Sequence, residues 1–197
     1  MFELNGYYRL KNANGDSLAL SAFNGNSSFV VWKKDSKGRP AIKIKVSTIF
    51  AREIAKKLKG LAEGASAEGR VPLVIQKYNP DTKHFDVDSS ICLVRDDKNI
   101  YSIELSGNGT GAKFEIRASQ VFSDGSNPVS KEIRSMQGVR ELIDVLTVQL
   151  PQANLLSTYG ARGSGAGNGG GKQDPFANKT SSGNTDMSSS TDDDSLF

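Results

Sequence analysis

Hydrophobic and polar residues alternate through the first quarter of the chain in a pattern typical of short strands. The clearest case covers residues 40–46, where Ile42, Ile44 and Val46 alternate with Lys43 and Lys45. This period of two is that of a half-buried strand with one cationic side. Asn, Gly and Asp residues separate such segments and favour turns. The predicted strands are residues 6–11, 17–23, 28–34 and 40–46.

A helix is predicted directly after these strands. Phe50, Ile54 and Leu58 recur every four residues, which places them on one helix face. Ser47 or Thr48 can cap the first turn, and glycines follow the apolar stripe as stop signals. We expect this helix to cover the apolar side of the sheet.

The second half of the body repeats the same plan. Strands are predicted at residues 71–78, 85–94, 99–106 and 112–122, followed by a helix from Ser130 to the stop at Pro151. The apolar side of this helix is predicted to be Ile133, Met136, Val139, Leu142, Ile143 and Leu146. The predicted fold class is therefore α+β, a duplicated β4-α unit with antiparallel sheets packed by helices. The alternative is an OB-fold, which has five strands.

The composition changes sharply after Tyr159. Residues 160–171 read GARGSGAGNGGG, and Ser, Asn, Thr and Asp dominate the stretch from residue 172 to the end of the chain. Such a segment buries too little apolar surface to offset the entropy of ordering its backbone. We therefore predict a binding domain at residues 1–159 and a flexible Gly/Ser-rich linker with an acidic tip at residues 160–197.

The charge is unevenly distributed along the chain. The formal net charge is only +3, but residues 31–60 hold ten Lys and Arg against two acids. A basic surface confined to one hairpin and one helix is typical of a protein that binds a polyanion. The alternative is an ordinary solvated strand face and helix face.

Aromatic residues accompany this basic segment. Trp32, the only tryptophan, directly precedes the basic hairpin. Unpaired bases stack on aromatic rings while cations follow the phosphates, so the combination favours single-stranded nucleic acid. For Trp32 a core position is the alternative. The candidate DNA-binding residues are Tyr8, Trp32, Lys33, Lys34, Lys37, Arg39, Lys43 and Lys45.

Residues for catalysis or metal binding are not apparent. The sequence contains no P-loop, nucleophile elbow or zinc-ligand spacing, so we expect neither enzymatic activity nor a cofactor. Cys92 is expected to be a small core residue and His84 to begin a strand. We also expect no membrane span and no secretion signal, and hence a cytoplasmic location, the host cytoplasm if the protein is encoded by a phage.

The chain ends in three aspartates, Asp192, Asp193 and Asp194, followed by Ser195, Leu196 and Phe197. This tip resembles the single-stranded DNA-binding proteins (SSBs) of bacteria and their phages, whose glycine-rich tails end in aspartates and a final phenylalanine. Leu196 stands where bacterial SSBs usually have proline. The resemblance implies that the tip recruits replication or recombination proteins, with Phe197 in a pocket and the aspartates on its basic rim.

The body resembles the Whirly branch of the PC4-like single-stranded DNA-binding fold. The resemblance rests on the β4-α-β4-α plan and on residues 37–42, Lys-Gly-Arg-Pro-Ala-Ile, which are similar to the Lys-Gly-rich strand motif of Whirly proteins. It implies a homo-oligomer assembled through its helices, with Lys43 and Lys45 facing DNA.

The function predicted from the sequence is low-specificity coating of single-stranded DNA during replication, recombination or repair. Two alternatives are open. One is a structural or adaptor protein, for example a virion component, whose basic hairpin binds an acidic protein. The other is an RNA-binding protein that uses the same hairpin.

Overall fold

Four strands and a helix occur twice in succession along the chain. The computed structural model describes residues 4–23, 26–36, 38–64, 69–123, 125 and 128–163. The first set of elements is β1 (Leu4–Lys11), β2 (Ser17–Phe23), β3 (Asn26–Trp32), β4 (Ile42–Val46) and α1 (Thr48–Ala62). The second set is β5 (Arg70–Asn79), β6 (His84–Arg95), β7 (Tyr101–Gly107), β8 (Thr110–Glu115) and α2 (Lys131–Asp144). A π-helical segment, Val145–Gln149, leads into α3 (Leu150–Gly163).

The strands form two antiparallel sheets in simple sequence order. The first sheet is β1-β2-β3-β4 and the second is β5-β6-β7-β8. The α+β class is therefore confirmed. The OB-fold alternative is wrong, because two four-stranded sheets replace its single five-stranded barrel.

Each sheet has an inner face directed toward the core and an outer face directed away from it. In β4, Ile42, Ile44 and Val46 are buried on the inner face while the two intervening lysines are exposed. Ser47 caps α1 by accepting a hydrogen bond from the Phe50 N–H at 3.1 Å. Inner residues of both sheets and of the helices belong to one apolar core.

Helix α2 is held tightly against the segment that follows β8. The Ser135 hydroxyl, fully buried, donates to the Ile116 carbonyl and accepts from the Tyr101 N–H, both at 2.9 Å. The Ala118 N–H donates to the Arg134 carbonyl at 3.1 Å. This docking explains why the last strand ends at Glu115 rather than at residue 122 as predicted, since the chain turns to helix contacts there.

The predicted end of the last helix at Pro151 is wrong. Helical structure continues from α2 through the π-helical segment and Pro151 to Gly163, into the segment predicted to be linker. The Leu150 N–H bonds to the Val145 carbonyl, five residues back. This wider turn accompanies the proline, whose missing N–H and bulky ring disfavour the regular pattern.

Ile133, predicted to lie on the core side of α2, is exposed because it falls in the first turn, before the helix reaches the sheet. Within the described ranges, no helix has the length and apolarity needed to cross a membrane.

Candidate nucleic-acid interface

The outer face of the first sheet carries cations along both edges. In one cross-strand row, Arg9 of β1 aligns with Ala19, Val30 and Lys43. Ala19 and Val30, on the central strands, are almost completely buried. The exposed part of this face is therefore made largely by its edge cations. They are Arg9, Lys11, Lys43 and Lys45, and all four are exposed.

These edge cations lie free of acidic partners among the described residues, where no ion pair involves any of the four. The two edges are separated by three strand spacings, about 14 Å. Lys43 and Lys45 lie two residues apart on one strand, a separation of about 6.7 Å. That separation is comparable with the distance between successive phosphates of an extended nucleic-acid strand.

On the outer face of the second sheet, cations are paired with a carboxylate. Glu104 lies between two cations, with Oε2 2.6 Å from Arg70 Nη2 and Oε1 3.2 Å from Lys113 Nζ. Partial burial by itself raises the pKa of Glu104, but hydrogen bonds from Arg70 and Lys113 outweigh it and lower the pKa below its usual range. The carboxylate therefore stays ionised and pairs with both cations, whereas the edge cations of the first sheet have no acidic partner among the described residues.

The other predicted contact residues lie at one end of this cationic face. Trp32 is half-buried at an outer-face position of β3, aligned with Ser17. Lys34 and Arg39 are exposed in the β3–β4 connection. Lys37 lies outside the described residues. The indole thus shares a face with the edge cations, as a stacking role requires.

Lys33 differs from its neighbours because it is already engaged within the protein. Its Nζ lies 3.1 Å from Asp16 Oδ2 and donates to the Gly111 carbonyl of β8 at 3.1 Å. Asp16 also accepts from the Asn12 side chain at 3.2 Å and from the Lys34 N–H at 3.1 Å. These bonds tie the β1–β2 turn and the end of β3 to the second sheet, so Lys33 has a structural role.

We expect Asp16→Asn to destabilise the fold and to make its unfolding free energy less dependent on pH in the acidic range. Burial raises the pKa of Asp16, but hydrogen bonds from Lys33, Asn12 and the Lys34 N–H outweigh it and lower the pKa overall. The stabilisation is complete above the unfolded-state pKa of about 3.9 and is lost as pH falls through the lower folded-state pKa. At pH 7 the variant should lose about 1–3 kcal/mol of unfolding free energy.

Urea unfolding at pH 7 and at pH 3 measures this difference. Asp35→Asn is the matched control, because Asp35 is an exposed residue of the nearby β3–β4 connection. Equal stability of the two variants at pH 7 would show that the Asp16 bonds contribute nothing.

Tyr8 was expected to contact DNA, and that prediction is wrong. Its side chain is 3% exposed on the inner face, in the same row as Leu20, Phe29 and Ile44. The hydroxyl has no hydrogen-bond partner among the described residues. Burial, and to a lesser extent the charge of Glu141, raise the pKa of Tyr8. A ring in the core cannot stack with a base.

Tyr8→Phe is therefore expected to leave DNA binding unchanged and to stabilise the fold by about 1 kcal/mol. A buried hydroxyl without a partner carries a desolvation cost that phenylalanine avoids. Thermal unfolding and titration with poly(dT) measure the two quantities. Trp32→Ala is the comparison, since its ring is partly exposed on the outer face. Weaker binding by a folded Tyr8→Phe protein would contradict this placement.

Arg9 and Lys11 were not among the DNA-binding residues predicted from the sequence. They lie in β1, outside the basic segment at residues 31–60, and reach the same face only through the antiparallel register. The signal that could have found them is the alternation with Tyr8 and Leu10, which are both buried. Two buried residues at this spacing direct the intervening cation outward.

Several smaller expectations can also be compared with the structure. His84 begins β6, as predicted. Cys92 is only half-buried, because it lies on the outer face opposite Pro72 and Glu104 and not in the core.

In the described part of the chain, no three His, Cys, Asp or Glu side chains are grouped so that they could hold a metal ion. The tip residues Asp192, Asp193, Asp194, Leu196 and Phe197 lie outside the described residues.

Comparison with known proteins adds little to this geometry. No family model and no curated protein matches the chain. A solved structure of Trypanosoma brucei MRP1/MRP2 shares 10% sequence identity and covers 82% of this chain and 87% of that chain, with a TM-score of 0.36. A likeness at this level carries no inference about function, which is therefore argued from the cationic face.

Proposed function

We propose that this chain is a non-enzymatic protein that binds single-stranded DNA with low sequence specificity during replication, recombination or repair. The observation that carries the proposal is the outer face of the first sheet, where four exposed cations have no acidic partner among the described residues. Free cations release the counterions of a phosphate backbone on binding, which supplies sequence-independent affinity.

The spacing of these cations favours one strand over a duplex. Lys43 and Lys45 follow an edge strand at a separation that suits consecutive phosphates, while Trp32 offers a partly exposed ring on the same face. Stacking with an aromatic ring requires an unpaired base, because the base faces of a duplex are covered. In the proposed complex, phosphates lie on the edge cations and a base stacks on Trp32.

We further propose a fold family, an assembly and partners for this chain. The order of four strands and a helix, occurring twice, supports a Whirly-like arrangement and a homo-oligomer. The acidic tip supports recruitment of replication or recombination proteins. Coating of the strand and recruitment of partners are then separate tasks of the body and the tail.

Competition binding tests the proposed ligand. A labelled poly(dT) bound to the full chain is displaced with unlabelled poly(dT), single-stranded RNA or duplex DNA. We expect poly(dT) to compete best and duplex DNA worst. Preferential displacement by RNA would support the RNA-binding alternative, and failure of every nucleic acid to bind would support the adaptor alternative.

The salt dependence of poly(dT) binding tests the electrostatic mechanism. With about four phosphate contacts, log K should fall with log salt at a slope of roughly −3, at about 0.7 per contact for single strands. The measurement is a series of titrations between low and moderate NaCl. A slope near zero would exclude the edge cations as phosphate ligands.

A further inference from the structure

One part of the second sheet extends beyond its neighbouring strands. β7 pairs with β6 only from Ser89 to Arg95, whereas β5 and β6 continue to pair as far as Asn79 and His84. Residues 76–87 thus form a two-stranded hairpin, here called the β5–β6 arm, with no third strand beside it in the described structure. A two-stranded hairpin is marginally stable by itself in water.

The arm has one apolar face and one polar face. Tyr78 aligns with Phe85, and their rings meet edge to face with centroids 5.4 Å apart. Val87 lies on the same face, which continues along the sheet to Val74. These four side chains are all more than half exposed, at 53% for Val74, 51% for Tyr78, 64% for Phe85 and 65% for Val87. The arm and the adjoining Val74 therefore present an apolar strip to solvent, in which the exposed Gln76, opposite Val87, is a polar side chain.

On the opposite face of the arm, polar side chains are hydrogen-bonded to one another. Lys77 aligns with Asp86, and Asn79 Nδ2 donates to Asp86 Oδ2 at 2.7 Å. In the turn, the Asp81 N–H donates to Asn79 Oδ1 at 3.0 Å. These bonds hold the hairpin in shape and leave its polar face suited to water. The apolar strip is thus the face that gains by being covered.

We propose that the apolar strip of the β5–β6 arm is a self-association surface, covered by the same strip of a second copy of this chain around a two-fold axis. Each strip is on the order of the largest apolar patches found on monomers, about 300–600 Å². Two strips face to face would supply much of the roughly 1,200 Å² buried by the smaller specific interfaces. Two-fold pairing is the commonest way for identical chains to associate.

The charges on the arm favour a second copy over nucleic acid. The strip itself carries no formal charge at its described positions, so a two-fold axis brings no like charges together. Elsewhere on the arm, Lys77 and Lys83 are balanced by Asp81 and Asp86. An arm without net positive charge does not attract a phosphate backbone, whereas an uncharged strip complements its own copy.

The β5 edge favours packing face to face over extension of the sheet. Pro72 has no N–H to offer an added strand, and a β-bulge interrupts the register between Ile75 and Gln76. Both features discourage a second chain from pairing along this edge. They favour association through the side-chain strip over pairing along the β5 edge.

Sedimentation velocity of the full chain without nucleic acid, over a range of concentrations, tests the proposal independently of DNA binding. We expect concentration-dependent association, and we expect Tyr78→Ser/Phe85→Ser to raise the dissociation constant at least about tenfold, as loss of central aromatic contacts usually does. Val87→Asp is a second variant on the same strip that leaves the aromatic pair intact. Circular dichroism verifies that each variant is folded.

Two control variants separate this strip from other surfaces. Lys77→Ser/His84→Ser changes the polar face of the same arm, and Leu155→Ser/Leu156→Ser changes exposed apolar residues of α3; both should change the dissociation constant less than about twofold. A monomer at every concentration, or association lost only with the α3 variant, would overturn the proposal. So would strip variants that weaken poly(dT) binding while sedimenting like the unmodified chain, because the strip would then be a base-stacking surface.

Discussion

Replacing both Lys43 and Lys45 with Glu is expected to reduce poly(dT) affinity at least about 100-fold without unfolding the protein. Both lysines are exposed on the outer face, while Ile42, Ile44 and Val46 between and beside them are buried. Each charge-assisted hydrogen bond to phosphate contributes about 1.5–3 kcal/mol, and about 1.4 kcal/mol corresponds to a factor of ten. The reversed charges add repulsion to the lost contacts.

The matched control is Lys56→Glu/Lys57→Glu on α1. These two lysines are also exposed, and their replacement changes the net charge by the same amount. We expect a much smaller loss of affinity, because they lie on a helix and not on the outer face of the first sheet. Equal losses in the two variants would show that only the total charge matters. Fluorescence anisotropy with labelled poly(dT), together with thermal unfolding, provides the measurements.

The largest expected effect on stability comes from Gly138→Ala. Gly138 lies in α2 where the helix meets the segment after β8, and an added Cβ would lie 2.5 Å from the Arg117 carbonyl carbon and 2.6 Å from the Ala118 nitrogen. Backbone atoms cannot move aside as a flexible side chain can. We expect a loss of about 2–4 kcal/mol, a large share of the 5–15 kcal/mol by which domains are stable.

The steric effect of Gly138→Ala is opposite in sign to the effect of helix propensity. Alanine is the better helix former by about 1 kcal/mol, so helix propensity alone predicts that the substitution stabilises. Gly60→Ala in α1 is the matched control, because a Cβ there meets nothing within 4 Å. We expect Gly60→Ala to stabilise by about 1 kcal/mol. Urea unfolding of both variants measures the difference, and stabilisation by both would mean that α2 does not approach Arg117 so closely.

Local patterns were sufficient to predict most of the elements. The alternation through Ile42, Ile44 and Val46 correctly predicted a strand with a cationic outer side, and the cap predicted at Ser47 or Thr48 is Ser47. These features depend on residues a few positions apart, so they can be read directly from the sequence. The helix boundary at Pro151 was wrong because a π-helical turn precedes the proline and helical structure continues through it.

The functional residues were harder to predict because their roles depend on distant partners. Lys33 and Lys43 look equivalent in the sequence, yet only Lys33 is held by Asp16 and by the Gly111 carbonyl of the other sheet. Tyr8 and Arg9 are neighbours, yet the sheet places Tyr8 in the core and Arg9 on the outer face, at the opposite edge from Lys43. The alternation within β1 separates Arg9 from Tyr8, but it does not show that Arg9 and Lys43 share the outer face of one sheet.

By itself, the sequence determined the order of strands and helices, the cationic side of β4 and the acidic character of the tail. It did so because each depends on composition or on short-range periodicity. Only the tertiary structure decided that Arg9 and Lys11 share a face with Lys43 and Lys45, that Glu104 pairs with Arg70 and Lys113 on the second sheet, and that the β5–β6 arm leaves an apolar strip exposed. Those outcomes depend on register and packing between segments far apart in the chain, which no local pattern encodes.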